Sequence, residues 1–220
     1  LVAVLAMWFL PWVSTQLWSV HMESIALTMP VVLTAAVSAA VVVFQGGRVD
    51  SRVPGGLTLG TVLFVDLKGS TETTQEIGGP AFQSLFSDFM KRAALIVVRH
   101  GGQIERTLGD GFVALFPHRG SRDSAESAFL SAQECFKQSA ALSLTHKRPV
   151  TFIAGLETGQ VSGGFVDEGG IQVWSSSGNT VNLAARLLSA SDIFSARLLV
   201  GPTAAKLLED KIQLRALGQF

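Results

Sequence analysis

A short apolar stretch that ends on a single carboxylate is the feature that most constrains the fold of this chain. Residues 62–66 place four apolar side chains before Asp66, and a Gly-Ser-Thr turn follows at 69–71. Such a run, bounded by a turn, predicts a buried strand with Asp66 at its carboxyl end. An ionised carboxylate beside a dry strand is unfavourable unless a cation or hydrogen bonds compensate its charge. Asp66 is therefore either a functional acid of that kind or only the cap of the next helix.

Composition gives no indication of a nucleic-acid partner. The 220 residues are 48% hydrophobic and 15% charged, with a formal net charge of zero. The single cysteine, Cys135, excludes an internal disulfide and is typical of a reducing compartment. The apolar excess is concentrated in residues 1–44, and the chain begins at Leu1 rather than Met, which favours a fragment or a processed form.

The first 44 residues predict two transmembrane helices, at about 1–20 and 24–44. No charged residue lies between Glu23 and Arg48, and 21 residues at about 1.5 Å each span roughly 30 Å, the thickness of a bilayer core. A secretory signal peptide and a buried soluble hairpin are the alternatives. The signal peptide is disfavoured because the stretch has no basic start and a second apolar segment follows.

The charges that flank these segments predict their orientation. Arg48 and Arg52 follow the second segment directly, whereas the turn between the two segments contains no Lys or Arg. Because positive residues stay on the cytoplasmic side, we expect a multi-pass protein of the cell (inner) membrane whose remainder is cytoplasmic. Residues 45–59 are rich in Gly and predict a linker.

Residues 60–220 predict one α+β domain, because helical and strand patterns alternate but hairpins interrupt the order. Asp123 and Glu126 have the spacing of a capping box at the start of one helix. The expected fold has its helices packed on a mainly antiparallel sheet. Strands are predicted at 60–66, 103–108, 112–116, 150–157, 160–165, 197–200 and 211–216, and helices at 79–100, 123–141, 179–190 and from Pro202.

A second acid, Asp110, lies between Gly109 and Gly111 at the tip of a predicted hairpin. Asp is common in turns, so Asp110 alone favours a structural role. If the tip lies beside the end of the first strand, however, Asp66 and Asp110 come together. Two carboxylates at close range repel each other, and a divalent cation such as Mg²⁺ relieves the repulsion.

A third polar pair lies on the helix predicted at 179–190. Asn182 and Arg186 are four residues apart and therefore share one helix face. An amide and a guanidinium beside a Gly-rich entry suit a ribose and a phosphate. The alternative is an ordinary solvated helix face.

Three of these stretches together resemble the class III nucleotide cyclases, the catalytic domains of adenylate and guanylate cyclases. The matching segments are FVDLKGST at 64–71, ERTLGDGFVALF at 105–116 and SGNTVNLAARL at 177–187, with AGLETGQVSGG at 154–164 between the last two. The resemblance implies a ferredoxin-like domain that works as a head-to-tail homodimer with its active sites at the interface. An apolar hairpin ahead of the domain is similar to the membrane anchors of many bacterial members.

The resemblance also implies a role for each motif residue. Asp66 and Asp110 would bind two divalent ions, Mg²⁺ or Mn²⁺, with help from the backbone carbonyl of Leu67. Asn182 would orient the ribose, and Arg186 would stabilise charge on the α-phosphate. Both of these residues would come from the partner subunit.

The purine-reading positions depart from the family pattern. Arg106 replaces the usual Lys, and Ser175 takes the place of the usual acid. Arg106 can still donate to a ring nitrogen, which keeps adenine as the expected base. The family's C-terminal triphosphate-binding Lys has no counterpart before Phe220, since Lys211 and Arg215 do not match its position. We therefore expect a domain whose C-terminal end is cut short.

The resulting hypothesis is a membrane-anchored adenylate cyclase that converts ATP to cyclic AMP and pyrophosphate for intracellular signalling. A guanylate cyclase is one alternative. The other is a catalytically weak cyclase-homology module that binds nucleotide or dimerises to relay a signal.

Overall fold

The computed structural model describes residues 56–118, 123–168 and 171–218, with only the backbone of 165–168 and 171–174. The two predicted membrane spans and most of the predicted linker lie outside these residues. Among the residues described, no helix is both long and apolar enough to cross a membrane. The strands are β1 Gly56–Leu67, β2 Gln103–Thr107, β3 Gly111–Pro117, β4 Phe152–Glu168, β5 Ile171–Ser177 and β6 Leu198–Val200. The helices are α1 Ser70–Ile77, α2 Gly79–Arg99, α3 Ser124–His146, α4 Asn179–Ala190 and α5 Pro202–Leu208.

The strands form one sheet in the order β2-β3-β1-β4-β5, and β6 pairs with β4. Strand β1 is central and antiparallel to both of its neighbours, so that Asp66 lies opposite Gly111 on β3 and Ile153 on β4. Among the strands described, only β6 is parallel to its partner. The prediction of helices on a mainly antiparallel sheet is confirmed.

The two faces of the sheet carry different helices, because successive strand residues point in opposite directions. Leu63 and Val65 of β1 lie in a large core with α2 and α3, where the Phe89 ring stacks at 3.8 Å on that of Phe152. Val62 and Phe64 pack on the opposite face in a smaller core with α4. By the same alternation, Asp66 belongs to the face that α4 covers.

Helix α4 lies close to β4 because two glycines, Gly155 and Gly159, leave room for it. A Cβ atom on Gly155 would come within 2.3 Å of the Ala184 carbonyl oxygen, and one on Gly159 within 2.5 Å of Thr180 Oγ1. The sequence predicts a break between two strands in this region, at 158–159. That prediction is wrong, because Gly159 serves the close approach of the helix and β4 continues unbroken to Glu168.

Two further differences from the sequence prediction lie at the ends of the domain. Strand β1 begins at Gly56, so residues 56–59 pair with β4 and are not linker. The predicted strand at 211–216 is wrong: this segment has no strand partner among the residues described. Its apolar residue Ile212 packs on the large core, and an alternating pattern without a neighbouring ladder does not make a strand.

The predicted cap of α3 is confirmed for Asp123, whose carboxylate accepts a hydrogen bond of 2.9 Å from the Ala125 N–H. The ammonium of Lys211 contacts this carboxylate at 3.0 Å and that of Glu126 at 2.6 Å. These ion pairs hold the segment that follows α5 against the start of α3.

Candidate active site

Asp66 lies at the carboxyl end of β1, between β3 and β4, as the sequence predicts. It does not cap the following helix. The N-cap of α1 is Gly69, with a φ of 69°, and no side chain among the described residues caps that helix end. The helix-cap interpretation of Asp66 is therefore excluded, and its partly buried carboxylate needs another explanation.

A backbone hydrogen bond holds the hairpin tip that carries Asp110 against the end of β1. Gly109 adopts a φ of 70°, a conformation that favours glycine, and the Leu108 N–H donates to the Gly111 carbonyl at 2.9 Å. The Leu67 N–H then donates to the carbonyl of Asp110 at 3.2 Å. This bond ties the hairpin to β1 and places the two acids side by side, as the sequence predicts.

The carboxyl group of Asp66 lies in electrostatically unfavourable surroundings. Burial raises the pKa of Asp66 to about 6, and the negative charge and hydrogen bond of Asp110 act in the same direction. A hydrogen bond from the Leu67 backbone opposes the rise in pKa without cancelling it. The pair is thus arranged so that positive charge from a ligand would relieve it.

This donor set fits a hard divalent cation. Carboxylates and a backbone carbonyl, such as that of Leu67, are the oxygen ligands that Mg²⁺ takes from proteins, and water or phosphate oxygens fill its remaining positions. Within the part of the chain that the structure describes, no group of three or more His, Cys, Asp or Glu could hold a metal ion. The roles of Asp66, Asp110 and Leu67 as metal ligands stay predictions.

The position opposite Asp66 has no room for a side chain. A Cβ atom on Gly111 would lie 2.3 Å from the Val65 carbonyl oxygen and 2.5 Å from Asp66 Oδ1. Both are closer than any real contact, and the backbone atom cannot rotate away. Gly111 therefore lets the carboxylate of Asp66 lie across the neighbouring strand.

We expect Gly111→Ala to lower the free energy of unfolding by about 2 kcal/mol, because the added methyl group forces β1 and β3 apart. Denaturant titration measures the change. Gly79→Ala is the matched control, since nothing lies within 4 Å of the Cβ position there, and it should stay within about 0.5 kcal/mol of the wild type. Equal stability of the two variants would contradict the close approach.

The polar pair on α4 faces solvent. Val181 and Ala184 are buried against the sheet, whereas Asn182 and Arg186 are exposed on the other side of the helix. Neither side chain has a hydrogen-bond partner or ion pair among the residues described. The structure therefore does not link this pair to Asp66 within one chain.

The two purine-reading positions come together across the sheet. Arg106 of β2 donates a hydrogen bond of 3.4 Å to the hydroxyl of Ser175 of β5. Beside them, the Ser176 hydroxyl donates to the Glu105 carboxylate. The sequence does not predict a role for Glu105 or Ser176. The only local signal was that each is the chain neighbour of a predicted base-reading residue.

Comparison with known proteins gives a family model and solved structures. The model described as "Adenylate and Guanylate cyclase catalytic domain" matches residues 59–220. The chain is 25% identical to the adenylyl cyclase CyaB from P. aeruginosa, with a TM-score of 0.69 over 75% of this chain and 87% of that one. The guanylyl cyclase Cya2 is 21% identical, with a TM-score of 0.65 over 74% and 85% of the two chains.

Two further comparisons give no evidence on function, since one shows a likeness of fold alone and the other finds no match. The guanylate cyclase domain of RhGC from Catenaria anguillulae is 18% identical, with a TM-score of 0.61 over 71% of this chain and 85% of that one. Comparison with curated proteins gives no sequence match. Because the family model covers most of the chain and includes both acids and the α4 pair, the chain belongs to the adenylate and guanylate cyclase family, the class III nucleotide cyclases.

Proposed function

We propose that this protein is an adenylate cyclase, which converts ATP to cyclic AMP and pyrophosphate. In this reaction the 3′-hydroxyl of the ribose attacks the α-phosphate and pyrophosphate leaves. The observation that carries the proposal is the pairing of the Asp66 and Asp110 carboxylates at the end of β1 in a chain of this family. Such a pair suits phosphoryl transfer, which needs positioning and charge neutralisation more than covalent chemistry.

In the proposed site, Asp66, Asp110 and the Leu67 carbonyl would hold two divalent ions, Mg²⁺ or Mn²⁺. When bound, these ions supply positive charge to the triphosphate and lower the pKa of the attacking hydroxyl. The protein's own contribution is a rigid pair of acids. The backbone bond from Leu67 to Asp110 holds the second acid against the strand that carries the first.

Asn182 and Arg186 complete the site from a second copy of the chain. The support for this step is that both side chains are exposed and have no partner among the described residues of their own chain. A guanidinium can bind phosphate oxygens with two parallel hydrogen bonds, and an amide can donate to or accept from a ribose. One solved neighbour is a dimeric guanylyl cyclase domain.

Arg106 and Ser175 are proposed to read the base as adenine. The guanidinium of Arg106 only donates, which suits the N1 acceptor, whereas the Ser175 hydroxyl can accept from the N6 amine. Guanine carries an N–H donor at N1 and offers its acceptor at O6, so Arg106 at the adenine N1 position would face a donor. Among the solved neighbours, a guanylate cyclase domain is in complex with GTP, and a rhodopsin-guanylyl cyclase core with converted specificity is in complex with ATPαS.

A second candidate is a nucleotide-binding module with little turnover. It is favoured by Arg106 and Ser175, which replace the usual Lys and acid of the family but can still hold a base. This candidate predicts nucleotide binding without cyclic product.

Residues 1–44 are proposed to anchor the protein in the membrane, with the catalytic domain in the cytoplasm. The support is the uncharged stretch before Arg48 and the absence of Lys and Arg from residues 21–23.

The test is turnover of ATP and GTP with Mn²⁺ by membrane and soluble fractions of cells that express the chain. We expect cyclic AMP from ATP, at least about tenfold faster than cyclic GMP from GTP, and we expect it in the membrane fraction. Faster turnover of GTP would make the protein a guanylate cyclase. Binding without product would support the module, and activity only in the soluble fraction would contradict the anchor.

A further inference from the structure

The two edge strands at the ends of the sheet path meet through their side chains. Strands β2 and β5 are separated in the sheet by β3, β1 and β4. Nevertheless, the Glu105 carboxylate accepts hydrogen bonds from both the hydroxyl and the backbone N–H of Ser176. Ser176 is almost fully buried, with 4% of its surface exposed. The sheet is therefore curved enough for its two edges to meet, and a hydrogen bond between Ser176 and Glu105 joins them.

A β-bulge explains how two successive side chains of β2 both reach β5. In a regular strand, neighbours point to opposite faces. The pairing of β2 with β3 shifts between Ile104 and Arg106, which makes Glu105 the extra residue of a bulge. As a result, Glu105 contacts Ser176 while Arg106 contacts Ser175.

Glu105 is held in a partly buried place that is unfavourable for a charged group. Its Oε1 atom is buried and has no hydrogen-bond partner among the residues described. Burial raises the pKa of Glu105, and the two bonds from Ser176 and the charge of Arg106 only partly offset this rise. A carboxylate in such surroundings is not explained by stability alone, since a smaller polar or apolar residue would avoid the penalty.

We propose that Glu105 is a positioning residue for base selection: by fastening Ser176, it sets the distance between Arg106 and Ser175. This inference rests on the proposed function of that pair. The hydrogen bond between Arg106 and Ser175 is already long, at 3.4 Å. Without Glu105, the long bond between Arg106 and Ser175 has to hold the two edges without the Ser176 contact. The edges then move apart, and the donor of Arg106 and the acceptor of Ser175 no longer match the spacing of adenine N1 and N6.

The test measures binding of 3′-deoxyATP and 3′-deoxyGTP with Mn²⁺ to the full chain by calorimetry. These nucleotides lack the attacking hydroxyl, so binding is read separately from turnover. Glu105→Ala should reduce the preference for the adenine nucleotide by about tenfold, because the displaced pair of Arg106 and Ser175 loses one hydrogen bond to the base. Glu105→Gln keeps an acceptor for Ser176 and should retain most of the preference.

Glu157→Gln is the matched control. Glu157 is also buried, burial also raises its pKa, and its Oε2 atom has no partner among the described residues. However, its Oε1 atom accepts from the Thr203 N–H at the start of α5, so it has no contact with the base-reading pair. This variant should keep the wild-type preference. If Glu105→Ala does not fold, Ser176→Ala removes the opposite partner and should lower the preference in the same direction.

Three results would overturn the inference. The first is an unchanged preference in folded Glu105→Ala or Ser176→Ala, or a wild type with no preference. The second is a selective loss of 3′-deoxyGTP binding, which would make Glu105 a direct acceptor for guanine. The third is an equal effect of Glu157→Gln, which would indicate a general loss of stability. Failure of the proposed function is distinct, because it appears in the turnover of the wild type alone, either as no product from ATP and GTP or as faster turnover of GTP.

Discussion

Asp66→Asn should lower turnover of ATP by about a thousandfold or more and leave the protein folded. The change removes one of the two carboxylates that are proposed to hold the divalent ions, but it keeps the size of the side chain. Initial rates of cyclic AMP formation with Mn²⁺ measure the loss. Asp210→Asn is the control, because this acid lies exposed in the turn after α5, and its activity should match that of the wild type.

The same variant should be more stable than the wild type in the absence of metal. The pKa of Asp66 is raised to about 6 in the folded protein, so ionised Asp66 opposes folding. The penalty is fully present above pH 6, fades as the pH falls, and is absent below the ordinary carboxyl pKa of about 4. We therefore expect Asp66→Asn to raise the Tm by about 2–4 °C at pH 8 and not at pH 4.

Added Mn²⁺ should make the wild type more stable than Asp66→Asn at pH 8. A ligand that binds only the folded state stabilises it, so the ion should raise the Tm of the wild type but not that of Asp66→Asn. A metal-free Asp66→Asn protein that is less stable than the wild type at pH 8 would show that Asp66 is a structural residue.

The neighbourhood of Asp66 and Asp110 could be predicted because its signals are local. An apolar run that ends at Asp66 indicates the end of a strand, and the glycines around Asp110 indicate a tight hairpin. The one prediction that depended on distant residues was that the hairpin tip with Asp110 lies beside the end of β1. The structure supplies it through the backbone bond from Leu67 to Asp110.

The contacts that the sequence could not predict depend on distant parts of the chain. Glu105 and Ser176 are 71 residues apart and meet only because the sheet curls. In the sequence, Gly159 is typical of a turn. In the structure, its missing side chain lets Thr180 of α4 approach β4 closely. The pattern at 211–216 is that of a strand, yet Lys211 is bound to the start of α3 and no ladder forms there.

A site shared between two chains makes a distinctive prediction for mixtures of inactive variants. Asp66→Ala lacks the acid side of the site, and Arg186→Ala lacks the phosphate side. In a mixed head-to-tail dimer, one site carries both defects and the other carries neither. With random pairing, half of the dimers are mixed and each has one intact site of two, so activity should return to about a quarter of the wild type.

Mixing Asp66→Ala with Asp110→Ala provides the matched control. Both changes lie on the acid side, so each site of a mixed dimer keeps one defect and no activity should return. The measurement is cyclic AMP formation by the two co-expressed pairs, each compared with its single variants. Recovery to about a quarter in the first pair only is the result that a shared site around Asp66 predicts. No recovery in the first pair, with both single variants folded and dimeric, would contradict it.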